Sequence, residues 1–160
     1  MGFLRWQDAS ACEAGRDHEN DGPDHMTDDR ANSLGGSPLR RAVQEYRFLL
    51  EQGKTVEAVE RYYAADVCVF ENRELARAGR AKCVAYEREQ LAKQPRPPEF
   101  RFRRVAVDDF TGAAFLEYVL RFTGDGERPQ RLELVAAQTW EKGKIVEERF
   151  YYEGVVDEGD

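Results

Sequence analysis

The chain has 160 residues, a length that leaves room for one folded domain. Hydrophobic residues make up 41% and charged residues 34%, and the formal net charge is −7. The negative charge disfavours a nucleic-acid-binding surface, and no apolar run approaches the ~20 residues of a membrane-spanning helix. The first ten residues lack the basic and apolar regions of a signal peptide. The three cysteines (Cys12, Cys68 and Cys83) lack metal-ligand spacing, and their odd number favours a reduced, cytoplasmic compartment.

Residues 1–37 are predicted to be a disordered acidic tail. They hold eight acidic and three basic side chains, and Phe3 and Trp6 are their only aromatic residues. Such a segment buries too little apolar surface to offset the entropy lost on ordering. Met26 is a candidate alternative start. Both histidines, His18 and His25, lie in this tail, so acid–base chemistry in residues 38–160 would use carboxylates, tyrosines or cysteines.

Three helices are predicted before the main strands. Ser37-Pro38 is an N-cap signal, and apolar residues recur at helical spacing from there to Gly53. A second helix is predicted over 55–63, with Thr55 as its cap, and a third over 79–93, ended by the proline cluster at 95–98. Between them, the apolar segment 67–70 predicts a short strand.

Four strands are predicted at residues 100–107, 113–122, 131–140 and 145–152. In the first, the apolar alternation slips at Arg103-Arg104, which indicates a β-bulge that bends the strand. The second is apolar on both faces, as expected of a central strand. Helices followed by a strongly curved antiparallel sheet indicate the α+β class.

Three segments resemble the nuclear-transport-factor-2-like superfamily and, within it, the SnoaL-like group. They are YRFLLEQGKTVEAVERYYAADVCVFEN, GRAKCVAYERE and WEKGKIVEERFYYEG, and the resemblance covers residues 38–154. It implies three N-terminal helices packed on a cone-shaped sheet with a pocket at its wide end, followed by an acidic tail at 155–160. Polyketide cyclases, limonene epoxide hydrolase, ketosteroid isomerase, dehydratases and binding modules share this fold, so the fold does not determine the function.

The catalytic groups of these enzymes are not retained in this sequence. The resemblance aligns the epoxide hydrolase's last-strand aspartate with Phe150, and its arginine and second aspartate with Tyr118 and Leu120. Its water-holding tyrosine and asparagine align with Phe70 and Asn72, so only the asparagine remains. No aspartate lies within a predicted strand, and the dehydratase histidine has no counterpart in residues 38–160.

Glu87 is the first candidate catalytic residue, because it interrupts the apolar face of the third helix. If it is buried and unpaired, its raised pKa would suit a general acid or base. The alternative is an ion pair with an arginine from the sheet, for example Arg101 or Arg103, because buried carboxylates are usually paired. The apolar residues that share this face are Cys83, Val84 and Leu91.

Glu148 is the second candidate, and it shares strand parity with Phe150. Gln138 interrupts an apolar register and is predicted to face the same pocket. The alternative for both is cross-strand pairing on a solvated or dimer-facing surface. Cys68 and Cys83 have no histidine partner and are predicted to be inert buried thiols. The predicted pocket residues are Tyr63, Phe70, Asn72, Tyr118, Gln138 and Phe150.

Three functions follow from these patterns. The first is a homodimer, formed through its sheet, that binds a small apolar molecule without metal or cofactor. The second is an isomerase, cyclase or hydrolase with Glu87 or Glu148 as general base, and it requires a pocket carboxylate without a cationic partner. The third is a structural dimerisation module whose vestigial pocket is filled by side chains.

Overall fold

The computed structural model describes residues 36–124 and 127–158. Residues 1–35 of the predicted acidic tail, which include Met26 and both histidines, lie before the described residues. The last two residues of the predicted C-terminal tail also lie outside them.

The three predicted helices are confirmed. Helix α1 spans Pro38–Glu51, and Ser37 Oγ caps it by accepting a hydrogen bond from Arg40 N at 3.1 Å. Helix α2 spans Thr55–Tyr62 and α3 spans Arg80–Ala92. The apolar faces of α1 and α2 are buried, which accounts for their periodicity.

Seven strands form one mixed, open sheet, and the predicted α+β class is confirmed. Neighbouring strands follow the order β2-β1-β6-β5-β4-β3, while β7 pairs with β5. The β1–β6 pair is parallel and the other pairs are antiparallel, so the sheet is not wholly antiparallel. The strands are β1 Tyr63–Glu71, β2 Glu74–Ala78, β3 Glu99–Asp108, β4 Ala113–Thr123, β5 Pro129–Glu141, β6 Lys144–Tyr151 and β7 Val155–Asp157.

The strand prediction is partly corrected. The predicted bulge is present, because the β3–β4 register shifts between Phe102 and Arg104. The prediction that no aspartate lies within a strand is wrong, because β1 begins at Tyr63 and contains Asp66, whose side chain is exposed. Strands β3 and β7 also end at Asp108 and Asp157. Strand β2 was not predicted. The predicted tail at 155–160 is wrong for Val155–Asp157, which pairs with β5.

The core lies between the three helices and the inner face of the sheet. Val43, Val67, Leu116 and Ile145 are fully buried there. The outer face of the sheet exposes the apolar side chains Phe115, Val135 and Tyr151. In the ranges 36–124 and 127–158, no helix is long and apolar enough to cross a membrane.

Gly112, in the turn between β3 and β4, should be the less replaceable of two turn glycines. Gly112 and Gly143 have φ values of +71° and +74°, but a Cβ on Gly112 would lie 2.6 Å from the Trp140 carbonyl oxygen, whereas Gly143 has open space. We expect Gly143→Ala to lower the free energy of unfolding by about 1 kcal/mol and Gly112→Ala by at least about 1 kcal/mol more. Urea unfolding measures both, and equal losses would contradict this account of the turn.

Candidate functional site

A cavity of about 330 Å³ lies between α3 and the inner face of the sheet. This volume falls within the range of small-molecule sites. Its wall is mainly apolar and aromatic, and a few polar groups interrupt it. The lining residues are Thr55, Glu71, Arg77, Tyr86, Glu87, Gln90, Leu91, Gln94, Pro98, Phe100, Tyr118, Leu120, Phe122, Leu132, Leu134, Phe150, Tyr152 and Val155.

Glu87 lines this cavity and forms no salt bridge with any described residue. Its predicted alternative partners are engaged elsewhere, since Arg101 pairs with Glu99 at 2.9 Å and Arg103 with Glu133 at 2.8 Å. Neither of these two arginines pairs with Glu87, and the sheet arginine that acts on it is Arg77, without a salt bridge. Burial raises the pKa of the Glu87 carboxyl, and the nearby Thr55 hydroxyl and Arg77 guanidinium only partly offset that rise.

Two hydroxyl groups near Glu87 make no hydrogen bond within 3.5 Å among the described residues, although the Thr55 hydroxyl lies close enough to Glu87 to lower its pKa. Thr55 is only 3% exposed, and its Oγ1 has no partner within 3.5 Å in the described part of the chain. The Tyr118 hydroxyl makes no hydrogen bond with a described residue, and its pKa is raised by burial and by the charges of Glu148 and Glu87. Because buried polar groups are normally paired, these groups indicate a place for a polar part of a ligand.

A second polar cluster forms another part of the wall, around Arg77 on β2. Arg77 Nη1 lies 3.0 Å from Glu71 Oε1, and its guanidinium lies 3.9 Å from the centre of the Tyr86 ring. The Tyr152 hydroxyl donates to Glu71 Oε2 at 2.9 Å, and burial together with Glu71 raises the pKa of Tyr152 to about 12. Both Glu71 oxygens are thus engaged, and the charge of Arg77 is balanced.

Glu148 does not line the cavity but lies in a buried network behind it. It is 1% exposed, and its Oε1 accepts a hydrogen bond from Gln138 Nε2 at 2.7 Å. Its Oε2 accepts one from the Tyr63 hydroxyl, and Trp140 Nε1 donates to Gln138 Oε1 at 2.9 Å. Gln138 and Glu148 are cross-strand neighbours on the inner face. Burial raises the pKa of Glu148, and these hydrogen bonds oppose the rise.

The predicted site residues therefore separate into three groups. Glu87, Tyr118 and Phe150 line the cavity, whereas Tyr63, Gln138 and Glu148 form the network behind it. Phe70 and Asn72 are outside the cavity wall. Phe70 lies under the Arg149 guanidinium at 4.0 Å, and Asn72 Oδ1 accepts from Tyr152 N at 3.1 Å.

Sequence reasoning missed Arg77 and Thr55 as cavity residues. The segment that holds Arg77, ELARA, is rich in helix-forming residues and gives no strand signal. Thr55 was recognised only as a helix start, and its side chain makes no capping hydrogen bond. An unpaired buried hydroxyl cannot be recognised before the chain is folded.

The cysteines and possible metal ligands add no second site. Cys83 is a free buried thiol, and burial raises its pKa to about 11. Cys68 is also buried. Within the described ranges, no group of three or more His, Cys, Asp or Glu side chains could hold a metal ion.

Replacing Tyr63 and Tyr118 in turn with phenylalanine tests which of the two hydroxyl groups makes a hydrogen bond inside the protein. Tyr63→Phe removes a buried hydrogen bond to Glu148, so we expect it to lower the free energy of unfolding by about 2 kcal/mol. Tyr118→Phe removes a hydroxyl without a partner and should change it by less than about 0.5 kcal/mol. Thermal or urea unfolding of both variants measures this contrast. A larger loss in Tyr118→Phe would show that its hydroxyl has a partner.

Solved structures of several proteins have the same fold. A candidate SnoaL-like polyketide cyclase from Mesorhizobium loti is 21% identical, with a TM-score of 0.55 over 71% of this chain and 98% of that one. An NTF2-like protein of unknown function from Burkholderia pseudomallei is 14% identical, with a TM-score of 0.62 over 74% and 92%. SalBIII, an epoxide hydrolase/cyclase-like enzyme of pyran ring formation in salinomycin, is 15% identical, with a TM-score of 0.61 over 72% and 90%.

No protein-family model and no curated protein matches the sequence. At these identities the similarity shows the fold, and the residues of the cavity must be interpreted from this chain alone. The predicted resemblance is confirmed at that level: the chain has the α+β fold of the SnoaL-like and nuclear-transport-factor-2-like proteins.

Proposed function

We propose that this protein binds a small, mainly apolar molecule in the cavity beneath α3. The observation that carries the proposal is the cavity of about 330 Å³, whose aromatic and aliphatic wall includes polar groups without partners. A vestigial pocket would be filled by side chains, and unpaired buried groups would then only destabilise the fold. A ligand that contacts Glu87, Thr55 and Tyr118 accounts for both features.

Native mass spectrometry of the protein purified from its host tests this proposal, together with titration of 1-naphthylmethanol as a probe. Leu132→Trp replaces an aliphatic side chain of the cavity wall with a bulky indole ring. It should prevent retention of the molecule and weaken probe binding. Phe110→Trp is the control, because Phe110 is 97% exposed in a turn. Wild-type protein with neither a retained molecule nor probe binding would contradict the proposal.

A second candidate is an enzyme that uses Glu87 as general base. It is favoured because Glu87 lines the cavity and forms no salt bridge with a described residue, although the Arg77 charge partly lowers its pKa. Glu148 suits this role less well, because both its oxygens accept hydrogen bonds and it is absent from the cavity wall. SalBIII shows that this fold occurs in epoxide hydrolase/cyclase-like enzymes.

Proton exchange provides a test of catalysis without the natural substrate. The protein is incubated with 2-tetralone in D₂O, and loss of the α-proton signals is followed by NMR. A general base in the cavity should accelerate exchange, and Glu87→Gln should abolish the acceleration while Glu148→Gln retains most of it. Equal exchange rates with and without wild-type protein would argue against Glu87 as a base.

The homodimer and the cytoplasmic location also stay proposals. The exposed side chains Phe115, Val135 and Tyr151 on the outer face of the sheet support a dimer through that face. The intact mass in the native mass spectrum measures the number of subunits. Replacing Phe115 with arginine should yield monomers if this face is the interface.

A further inference from the structure

The charged residues of the cavity wall leave one negative charge without a partner. Among the described lining residues, those charged at neutral pH are Glu71, Arg77 and Glu87. Arg77 and Glu71 form a salt bridge of 3.0 Å, so they cancel. An ionised Glu87 therefore remains uncompensated, and the described wall holds no spare cation for an anionic ligand.

The polar groups around Glu87 match the hydrogen-bonding capacity of a primary ammonium group. Such a group has three N–H donors and no acceptor. The Glu87 carboxylate, Thr55 Oγ1 and the Tyr118 hydroxyl oxygen can each accept a hydrogen bond, and the two hydroxyls can also donate one. The Thr55 hydroxyl lies near Glu87 and lowers its pKa, but Thr55 Oγ1 has no partner within 3.5 Å among the described residues. An alcohol would supply one donor to the same three acceptors.

The rest of the wall favours an organic cation with an apolar body. Phe100, Tyr118 and Phe150 present aromatic rings to the cavity, and the negative faces of such rings attract cations. The protein already uses this interaction in the same wall, where the Arg77 guanidinium lies over Tyr86. The aliphatic residues Leu120 and Leu132 complete a surface suited to hydrocarbon.

We infer that the ligand is a small hydrophobic primary amine, bound as its ammonium ion between Glu87, Thr55 and Tyr118, with its hydrocarbon part against the aromatic wall. This inference rests on the proposed binding function and names the class of ligand. The carboxylate is already withdrawn from bulk water, so part of the desolvation cost of an ion pair is borne by the free protein. Burial raises the pKa of both Glu87 and Glu148, and the Arg77 charge offsets only part of each rise, so an ammonium ion beside Glu87 would lower its pKa further.

Three probes of similar shape test the charge of the ligand by isothermal titration calorimetry at pH 7. They are 1-naphthylmethylamine, 1-naphthylmethanol and 1-naphthoate. In wild-type protein the amine should bind at least about tenfold more tightly than the alcohol, because a charge-assisted hydrogen bond replaces a neutral one. The carboxylate should bind most weakly, because it meets Glu87.

Variants assign the preference to particular side chains. Glu87→Gln should bring the amine and the alcohol to similar affinities, while Glu89→Gln, on the exposed side of the same helix, should leave the wild-type ratio unchanged. Thr55→Val keeps the shape of the side chain and should weaken amine binding severalfold more than alcohol binding. Circular dichroism of each variant establishes that it is folded.

The outcomes separate this inference from the function on which it rests. Equal affinities of amine and alcohol for wild-type protein would overturn the amine inference and keep the apolar binding site. Tightest binding of the carboxylate would overturn it in the same way. Failure of all three probes to bind would overturn the inference and also count against ligand binding in the cavity.

Discussion

Glu148→Ala is expected to lower the free energy of unfolding by about 3 kcal/mol, since a buried hydrogen-bonding group is lost and two donors are left unsatisfied. Gln138 Nε2 and the Tyr63 hydroxyl both donate to Glu148, and no described cation lies in contact with it. The two hydrogen bonds with Glu148 therefore offset the cost of removing these polar groups from water. Urea unfolding of the wild type and the variant at constant pH measures the loss.

Glu148→Gln is the matched variant, because a neutral amide resembles the protonated acid. Its carbonyl oxygen can accept from Gln138, and its amide can donate to the Tyr63 oxygen. It also removes the cost of burying a charge, so we expect a loss smaller than about 1 kcal/mol. If the alanine and glutamine variants were equally unstable, the network would not depend on hydrogen bonding at this position.

Comparison of the wild type with Glu148→Gln also tests how the free energy of unfolding depends on pH. Burial raises the pKa of Glu148 in the folded protein above its ordinary value of 4.5. The folded state then binds more protons than the unfolded state. The contribution of Glu148 to the free energy of unfolding is therefore fully present below about pH 4.5, and it is lost as the pH rises through the folded-state pKa. Relative to Glu148→Gln, the wild type should lose stability from about pH 4.5 upward. A constant difference between the two would contradict the raised pKa.

The second large effect is expected at Glu87, where removal of the carboxylate should stabilise the fold and weaken the binding of an amine in the cavity. Glu87→Leu replaces a buried carboxylate that has no salt bridge with an apolar side chain in an apolar wall. We expect a gain of about 1 kcal/mol in the free energy of unfolding. Binding of 1-naphthylmethylamine, measured by calorimetry, should fall at least about tenfold.

The control for this prediction is Glu89→Leu on the same helix. Glu89 is exposed and pairs with Lys93 at 2.6 Å, so its replacement should change stability by less than about 0.5 kcal/mol and leave binding unaltered. Loss of stability in Glu87→Leu would indicate that the carboxylate is satisfied in the folded protein. The contrast with Glu148 follows from hydrogen bonding, because neither carboxylate forms a salt bridge with a described residue, and Glu148 accepts short hydrogen bonds on both oxygens whereas Glu87 accepts none within 3.5 Å from Thr55.

The helices and the bulge were predictable because they depend on local sequence. Helical periodicity identified α1, and it placed Glu87 on the apolar face of α3, where the structure also has it. The slip at Arg103-Arg104 identified the bulge in β3. In these cases the pattern of neighbouring residues reports directly on which side of an element is buried.

Long-range pairing was not predictable from local sequence. Strand parity placed Gln138 and Glu148 on one face, but it could not decide whether they lie in the cavity wall or behind it. The parallel pairing of β1 with β6 places Glu71 opposite Phe150, and this brings Glu71 to Tyr152, whereas Arg77 reaches Glu71 through the neighbouring strand β2. Because the contact with Tyr152 joins residues distant in sequence, and β2 has no strand signal of its own, the polar cluster around Arg77 appears only in the folded chain.

A ¹³C NMR titration of the glutamate carboxyl groups, assigned with Glu87→Gln, tests the central claim most directly. The claim is that Glu87 is a half-buried carboxylate that faces the cavity and forms no salt bridge with a described residue. It predicts that Glu87 titrates above its ordinary value of 4.5 in the free protein and that 1-naphthylmethylamine lowers this pKa. A Glu87 pKa at or below the ordinary value, unchanged by the amine, would contradict it.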